Sequence, residues 1–343
     1  MVTTDVAALE QRLEREQEYP RQDYRELADA LSAQIISFTD VSRSRGAFLK
    51  LVRCLLGKGC ALALYAFWQK GEFYFTTAEN VGFPLAFLLK FRPRARHVMI
   101  GHKISAVKKR LAAKIFNLFS RIDHMICYSV KQVDYARDYL HVPERKLNRI
   151  NFQVDPDFFE PSPVSENHGS DIVSVGRELR DYATLFDAVA GTDLTATVVA
   201  SSPWSKRRDR TKRRSIPPNV RLISGLAYRE LKDLYQNCRI VVVPLLPVDS
   251  PAGVTSILEA QAAGKPVVVS ATPGIADSIL PGINAITVPC RDAQALRSAL
   301  QRLMRDKNDR ESLGAAGRRA AVKENSIDLF IKRIKAVCDY ENT

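Results

Sequence analysis

Residues 241–270, VVVPLLPVDSPAGVTSILEAQAAGKPVVVS, read as strand, loop, helix and strand. Val241–Val243 is a β-branched run ended by Pro244, and the loop 244–253 carries Pro, Asp, Ser and Gly, residues that open turns and helix N-termini. A helix begins near Ala252. Ile257, Leu258 and Gln261–Ala262 lie a turn apart along it, Gly264 closes it, and Val267–Val269 starts the next strand after Pro266. In such a βαβ unit the loop after the first strand aims backbone N–H groups, and the positive end of the helix, at an anion. Gly253, Val254 and Thr255 supply those amides, and Gly253 permits close approach. Glu259 follows about two turns in. It is an acceptor-only carboxylate able to take hydrogen bonds from two neighbouring hydroxyls, as on a ribose. A phosphate cradle with a diol clamp predicts a nucleotide-diphosphate ligand. The competing reading is a turn glycine and a solvated helix carboxylate.

The stretch AGVTSILEAQAAGKPVVVSATPGIAD, 252–277, resembles the donor-binding segment of family 4 glycosyltransferases of the GT-B fold, whose pattern ends in LEA-x-A-x-GKPV-x-x-S-x-x-G-x-x-D. The resemblance implies an α/β protein of two Rossmann-like, doubly wound parallel-sheet domains facing a cleft. It also implies sugar transfer from a nucleotide-diphosphate sugar to a hydroxyl acceptor, with retention. Family members often carry a second Glu eight residues before the one at 259; here Pro251 stands there.

The 343 residues suit two domains, and 46% apolar content can bury both cores. The formal charge of +13 is localised: Lys90 to Arg121 holds ten Lys or Arg and no acid, and Pro203 to Arg214 holds seven against one acid. Such concentration points to phosphate-bearing ligands or an anionic surface. The six cysteines form no C-x-x-C pair, which argues against disulfides or zinc and fits a reducing compartment. Apolar runs such as Cys60–Trp68 are about half the length of a spanning helix, and the charged N-terminus does not read as a signal peptide. The expectation is a cytoplasmic enzyme, with the inner membrane face as a candidate peripheral site. No helix-turn-helix, zinc-finger or RNP-like pattern favours nucleic acid.

In chain order, residues 6–18 and 22–31 read as helices. Strands are predicted at 34–38, 61–66, 73–77, 97–100, 124–128 and 147–151, with helices at 47–56, 82–91, 104–120 and 130–140. The glycine-rich loop that opens this domain in the family is missing: either 38–46, FTDVSRSRG, replaces it or the domain is abbreviated. After the predicted strand 97–100 come Gly101 and His102, in an active-site loop position. A His there often faces the donor sugar in related enzymes, and a structural or exposed His is the alternative. By the same logic Glu79 and Asn80 face that edge, although a carboxylate at a strand end also serves as a helix cap. Ile104, Val107, Leu111, Ile115, Leu118 and Ile122 predict one apolar stripe, with Lys103, Lys108, Lys109, Arg110 and Lys114 around it. That helix either packs on its sheet with solvated cations or meets an anionic membrane or phosphorylated lipid acceptor.

Residues 152–170 read as a linker. Asp155 and Asp157 form a D-x-D that the resemblance assigns to the interdomain crossing rather than to a metal. A second alternating series follows: strands at 171–175, 194–200, 220–223, 239–243, 267–270 and 286–288, helices at 181–190, 228–237, 254–263 and 292–306, then terminal helices 310–323 and 326–340. The predicted division is an N-terminal acceptor-side domain 1–160, a donor domain 161–325, and 326–343 crossing back as the resemblance implies. SVGRELRDY, 174–182, ends its strand at Gly176 and places Arg177 and Arg180 in the next loop. Their guanidinium forks suit a diphosphate, though two loop arginines also read as plain surface. The family pattern has a basic pair here, which carries a leaving-group role to Arg177 and Arg180. ASSPWSKRR, 200–208, follows the next strand, and GLAYRELKDLY, 225–235, matches the family segment that packs on the nucleotide base. Tyr228 is its candidate contact, or core.

The reading is thus a glycosyltransferase with no metal and no cofactor beyond its donor. The alternatives are a nucleotide-sugar epimerase of the same fold and a non-catalytic nucleotide-sugar or polyanion-binding protein.

Overall fold

The computed structural model describes the chain except residues 4–9, 11–12, 16–17, 45, 103, 106, 163–168, 201–215 and 340–343, and only the backbone of 107–109. Most of the predicted helix 6–18 and of 200–208 lies outside the described residues, as do Lys103 and the side chains of Lys108 and Lys109. The chain divides into two compact units: Met1–Arg15, Gln22–Ile150 and Ile331–Thr343 form the first, Glu16–Arg21 and Asn151–Phe330 the second.

The first unit opens with α1 (Asp23–Ala30), α2 (Phe38–Arg43), α3 (Ala47–Leu56) and α4 (Lys58–Trp68). Next come β1 (Phe73–Thr76), α5 (Glu79–Leu88), β2 (Arg96–Ile100), α6 (Val107–Ile115), β3 (His124–Cys127), α7 (Val130–Asp138) and β4 (Leu147–Arg149). The four strands pair in parallel in chain order, with Tyr74 opposite His97 and Val98 opposite His124. Tyr74, Leu85 and Leu89 pack with Ala61–Ala63 in one core cluster, and Met99, Met125 and Cys127 pack with Phe83 and Ile122 in another.

Four expectations fail here. The run 61–66, ALALYA, is not a strand but the middle of α4, with Ala61, Leu62, Ala63 and Ala66 buried. A short apolar run has no period to separate a buried strand from a buried helix, and its alanines favour the helix. Residues 34–38 contribute a single bridge at Ile36, because Val2 sits between Ile36 and Thr76 and takes the ladder position on the edge of β1. Residues 38–43 of the 38–46 stretch are helix rather than loop: Ser37 and Asp40 form a capping box that starts α2 at Phe38. The predicted helix 104–120 is also broken. It ends by Ile115, and Asn117 turns left-handed at φ 42° before a short 3₁₀ turn at Leu118–Arg121. The stripe splits with it: Leu118 and Ile122 are buried, whereas Leu111 and Ile115 are exposed.

The second unit runs β5 (Ser170–Val175), α8 (Tyr182–Val189), β6 (Ala196–Val199), β7 (Val220–Ile223), α9 (Tyr228–Gln236), β8 (Cys238–Val243), α10 (Val254–Ala262), β9 (Val267–Ser270), β10 (Ile286–Val288), α11 (Ala293–Arg305) and α12 (Lys307–Glu324). A last helix, α13 (Ile327–Asp339), starts in this unit and ends in the first. The six-stranded sheet is parallel, in the order β10-β9-β8-β5-β6-β7. Alternate residues of its strands face opposite cores: Val173, Val175, Val241 and Val243 one, Ile172, Ile240 and Val242 the other. Strand order reverses between β5 and β8, and it is outside the carboxyl ends of the strands at such a reversal that open α/β sheets take ligands.

Candidate active site

At that reversal the loops after β5 and β8 are stitched together by backbone. Asp181 N–H donates to Pro244 O at 2.9 Å, Leu246 N–H donates to Leu179 O at 3.0 Å, and Arg180 and Leu245 form an antiparallel bridge. Leu179 is left-handed at φ 57°, a conformation that costs a non-glycine residue and persists only where its surroundings impose it. Asp181 then caps α8 by accepting from Thr184 N–H at 3.3 Å.

The stitch turns the Arg180 side chain inward. Its Nε donates to Val175 O at 3.0 Å, Nη1 to Glu178 O at 3.0 Å and Nη2 to Ser256 Oγ at 3.0 Å. A guanidinium has five N–H groups, so two remain for a ligand. Glycine is required on both sides of it. Gly176 has φ +113° and a Cβ there would sit on the guanidinium; at Gly253, φ +88°, a Cβ would lie 2.9 Å from Val243 Cγ1 and 3.5 Å from Arg180 Nη1. Gly253 is the N-cap of α10 and, lacking a side chain, leaves the first turn without a side-chain cap. Val254 points into the core and Thr255 is exposed, so their contribution at the reversal is backbone amide. Arg177 Nε is buried with no partner among the described residues. A positive helix end, two guanidiniums and glycine walls form a suitable cradle for an anion.

One turn beyond Ser256, Glu259 is 8% exposed and accepts from Tyr235 Oη at 2.9 Å. Burial pushes its carboxyl up to about 7, opposed by the Tyr235 hydrogen bond and the Arg180 charge. Burial also lowers the Arg180 guanidinium below its ordinary value, opposed by Tyr182, Tyr235 and Glu259. The solvated-helix reading of Glu259 is therefore excluded. Tyr228 is half-buried at the start of α9, its ring 6.4 Å from that of Phe158 and edge-on to it. Tyr235 and Ser256 were missed by the sequence reading. Ser256 could have been found, because it lies three residues before Glu259 on the same helix face. Tyr235 carried no signal beyond an apolar helix position.

In the first unit, His102 follows β2 by two residues and is held on several sides. Its backbone N–H donates to Glu79 Oε2 at 3.0 Å, its Nε2 lies 3.0 Å from Thr77 O, and Gln132 Nε2 donates to its carbonyl at 3.0 Å. A carbonyl only accepts, so Nε2 is the donor in that contact. Glu79 is buried at the first turn of α5, where it fixes His102 rather than presenting a free carboxylate. Asn80 is exposed. Arg110 is half-buried and Lys114 exposed. Asp155 accepts from the N–H groups of Arg21, Asp157 and Phe158 and pairs with the Arg21 guanidinium at 3.4 Å, so the D-x-D ties down a turn. Among the described residues no three His, Cys, Asp or Glu side chains gather as a metal site. The first unit also holds a cavity of about 1160 Å³ at the amino ends of β1 and β2, lined by Lys70, Phe73, Arg92 and Arg96, at the opposite end of the strands from His102.

The whole chain is similar in structure to HepE of Anabaena, solved with UDP and glucose, at 16% identity and TM-score 0.72 over 98% of each chain. It is similar to a glycosyltransferase of Rickettsia africae at 14% identity and TM-score 0.72, over 100% of this chain and 99% of that one. Sucrose-phosphate synthase of Thermosynechococcus elongatus is also similar, at 20% identity and TM-score 0.69, over 85% of this chain and 79% of that one. No curated protein matches the chain by sequence. Two parallel-sheet domains with the reversal in the second, shared along the full length with these proteins, define the GT-B fold. Residues 172–320 match the family described as glycosyl transferases group 1, and the chain is a glycosyltransferase whose second unit carries that family's domain.

Proposed function

We propose that the chain moves a sugar from a nucleotide-diphosphate sugar to a hydroxyl acceptor, with retention at the anomeric carbon and without a metal ion. The observation that carries this is Arg180, held between Gly176 and the N-terminus of α10, with Glu259 two turns along the same helix. The diphosphate lies against Arg177, Arg180 and the 253–255 amides. These meet the charge that grows on the leaving phosphate, the role a metal would otherwise fill. Glu259 takes the ribose hydroxyls, Tyr228 lines the base, and His102 serves the sugar and acceptor. HepE in complex with UDP-glucose supports a donor of this chemical class. Retention rests on the resemblance to family 4. Exposed Lys114 and half-buried Arg110 suit an anionic surface near the acceptor.

Calorimetric binding of a nucleotide-sugar panel, followed by assay of donor hydrolysis, tests this reading. Glu259→Ala should weaken the parent nucleoside diphosphate by at least about tenfold, the loss of two charge-assisted hydrogen bonds. Unchanged affinity in the folded variant sinks the clamp. An epimerised sugar nucleotide in place of hydrolysis marks an epimerase, and binding without turnover marks a binding protein. Chelator should leave the rate intact; loss restored by manganese or magnesium defeats the metal-free scheme.

A further inference from the structure

Helix α3 has the wrong side facing out for a helix in water. Of AFLKLVRCLL only Leu49 is buried, while Phe48 and Leu55 are 57% and 71% exposed, and Leu51 and Leu56 are exposed with them. Trp68, at the end of α4, is 45% exposed with its ring 6.1 Å from that of Phe48. Single exposed apolar residues are ordinary, but a contiguous set on one element marks a surface made to be covered.

Charge says what covers it. From Val41 to Gly71 the chain has six Lys or Arg and no acid. Lys50, Arg53 and Lys58 are exposed, and the cationic heads of Arg53 and Lys58 lie over the Phe38 ring at 4.9 and 4.5 Å, which holds both charges beside the α3–α4 junction. A second copy seated on this face would oppose like charges, which counts against self-association. Ten residues make a rod of about 15 Å, half of a bilayer's hydrocarbon thickness, and no helix among the described residues is long and apolar enough to cross a membrane. Gly57, at φ +90°, separates α3 from α4 and lets the rod lie flat on its neighbour.

We infer that α3 and Trp68 form an in-plane membrane anchor that seats in the headgroup and acyl boundary of an anionic bilayer. Apolar side chains supply insertion, and the basic residues supply the preference for acidic lipid. A second exposed apolar group lies in the same helical layer, in which α4 packs on α5 and α5 neighbours the turn after α6. There Phe87, Phe91 and Phe116 are exposed and stacked edge-on, with Phe87 5.4 Å from Phe116. The inference extends the anionic-surface reading of Arg110 and Lys114 but stands on different residues, and it is independent of the sugar chemistry.

The test is vesicle flotation with phosphatidylcholine alone and with added phosphatidylglycerol, using the full chain, the double variant Phe48→Ser/Leu55→Ser, and Lys114→Gln. The full chain should bind only the acidic vesicles, and high salt should weaken but not abolish binding. The double variant should bind at least about tenfold more weakly, with its circular dichroism and vesicle-free donor hydrolysis unchanged, because both side chains already stand in solvent. In a Trp204→Phe background, the emission of Trp68 should shift to the blue on acidic vesicles. Absence of binding by the full chain, or equal binding by the double variant, overturns the anchor. Loss of binding only in Lys114→Gln overturns it in favour of the charged helix alone. A dimer dissociated by the double variant, without vesicle binding, makes the face a contact between copies. Each of these outcomes leaves the transferase reading to its own assay.

Discussion

The two units bury titratable groups in opposite ways. In the first, His97 is sealed in β2, its Nε2 2.9 Å from Thr76 Oγ1 and its Nδ1 without a partner among the described residues. Burial lowers it to about 4, so it is neutral. In the second, burial raises Glu259 to about 7 beside a guanidinium and a phenol. Both burials cost stability. Only the second lies beside glycine walls, an uncapped helix end and an Arg177 nitrogen left unpaired, features that make sense with an anionic ligand in place. Sheet order is the cause: β1 to β4 succeed one another without reversal, whereas the β5–β8 reversal opens two loops side by side. A perturbed buried group thus marks a ligand site only where topology leaves room for a ligand.

The hardest blow to this contrast is delivered at the arginines. Arg177→Ala should lower turnover by about 10²–10³-fold, the usual loss when one preorganised donor to developing charge is removed, with a smaller effect on donor binding. Arg180→Ala should act in the same sense and also lower the melting temperature, since Val175 O, Glu178 O and Ser256 lose their donor. His102→Ala, in the first unit, should leave nucleoside diphosphate affinity unchanged while lowering transfer. Reversed results would move the phosphate cradle to the first unit.

Next in size is the dependence on pH, which runs in opposite directions for the two groups. Unfolded His97 takes a proton below about 6.5 while the folded one waits until about 4, so its stability contribution is present above 6.5 and falls away on acidification, by about 3 kcal/mol. Folded Glu259 holds its proton up to about 7, against 4.5 unfolded. Its contribution is present below 4.5 and is lost as pH rises through 7, again by about 3 kcal/mol. Melts of His97→Gln and Glu259→Gln across this range, each compared with the parent, should diverge at acid pH for the first and at alkaline pH for the second. Parallel curves would mean the groups are solvated. Because a diol needs the ionised carboxylate, nucleotide affinity should also rise with pH through 7 and binding should release a proton, which calorimetry in buffers of different ionisation enthalpy detects.

The smallest expected effect belongs to Tyr235→Phe. Removing one hydrogen bond should cost about 1 kcal/mol of stability. Since that bond holds the Glu259 carboxyl down, the pH at which affinity rises should move upward. A loss of stability with an unmoved pH profile would leave Tyr235 as packing alone.

The chain by itself determined the βαβ unit at 241–270, most of the alternation in both halves, and the candidacy of Gly253 and Glu259, because turn residues and the two side-chain periods are local signals, whereas the resemblance to family 4 was needed to single out Arg177 and Arg180. Only tertiary structure decided that 61–66 is helix and that Val2 takes the edge position beside β1, since both depend on which neighbour offers backbone partners and burial. It likewise decided that Glu79 positions His102, that Arg180 is already engaged by three acceptors, and that Tyr235, 24 residues away, meets Glu259. Exposure was the least legible property. Leu111 and Leu55 sit at helix positions that read as core-facing or neutral, and only the packed layer shows them facing out. Periodicity tells which side chains share a face, but what that face meets is set by contacts between residues far apart in the chain.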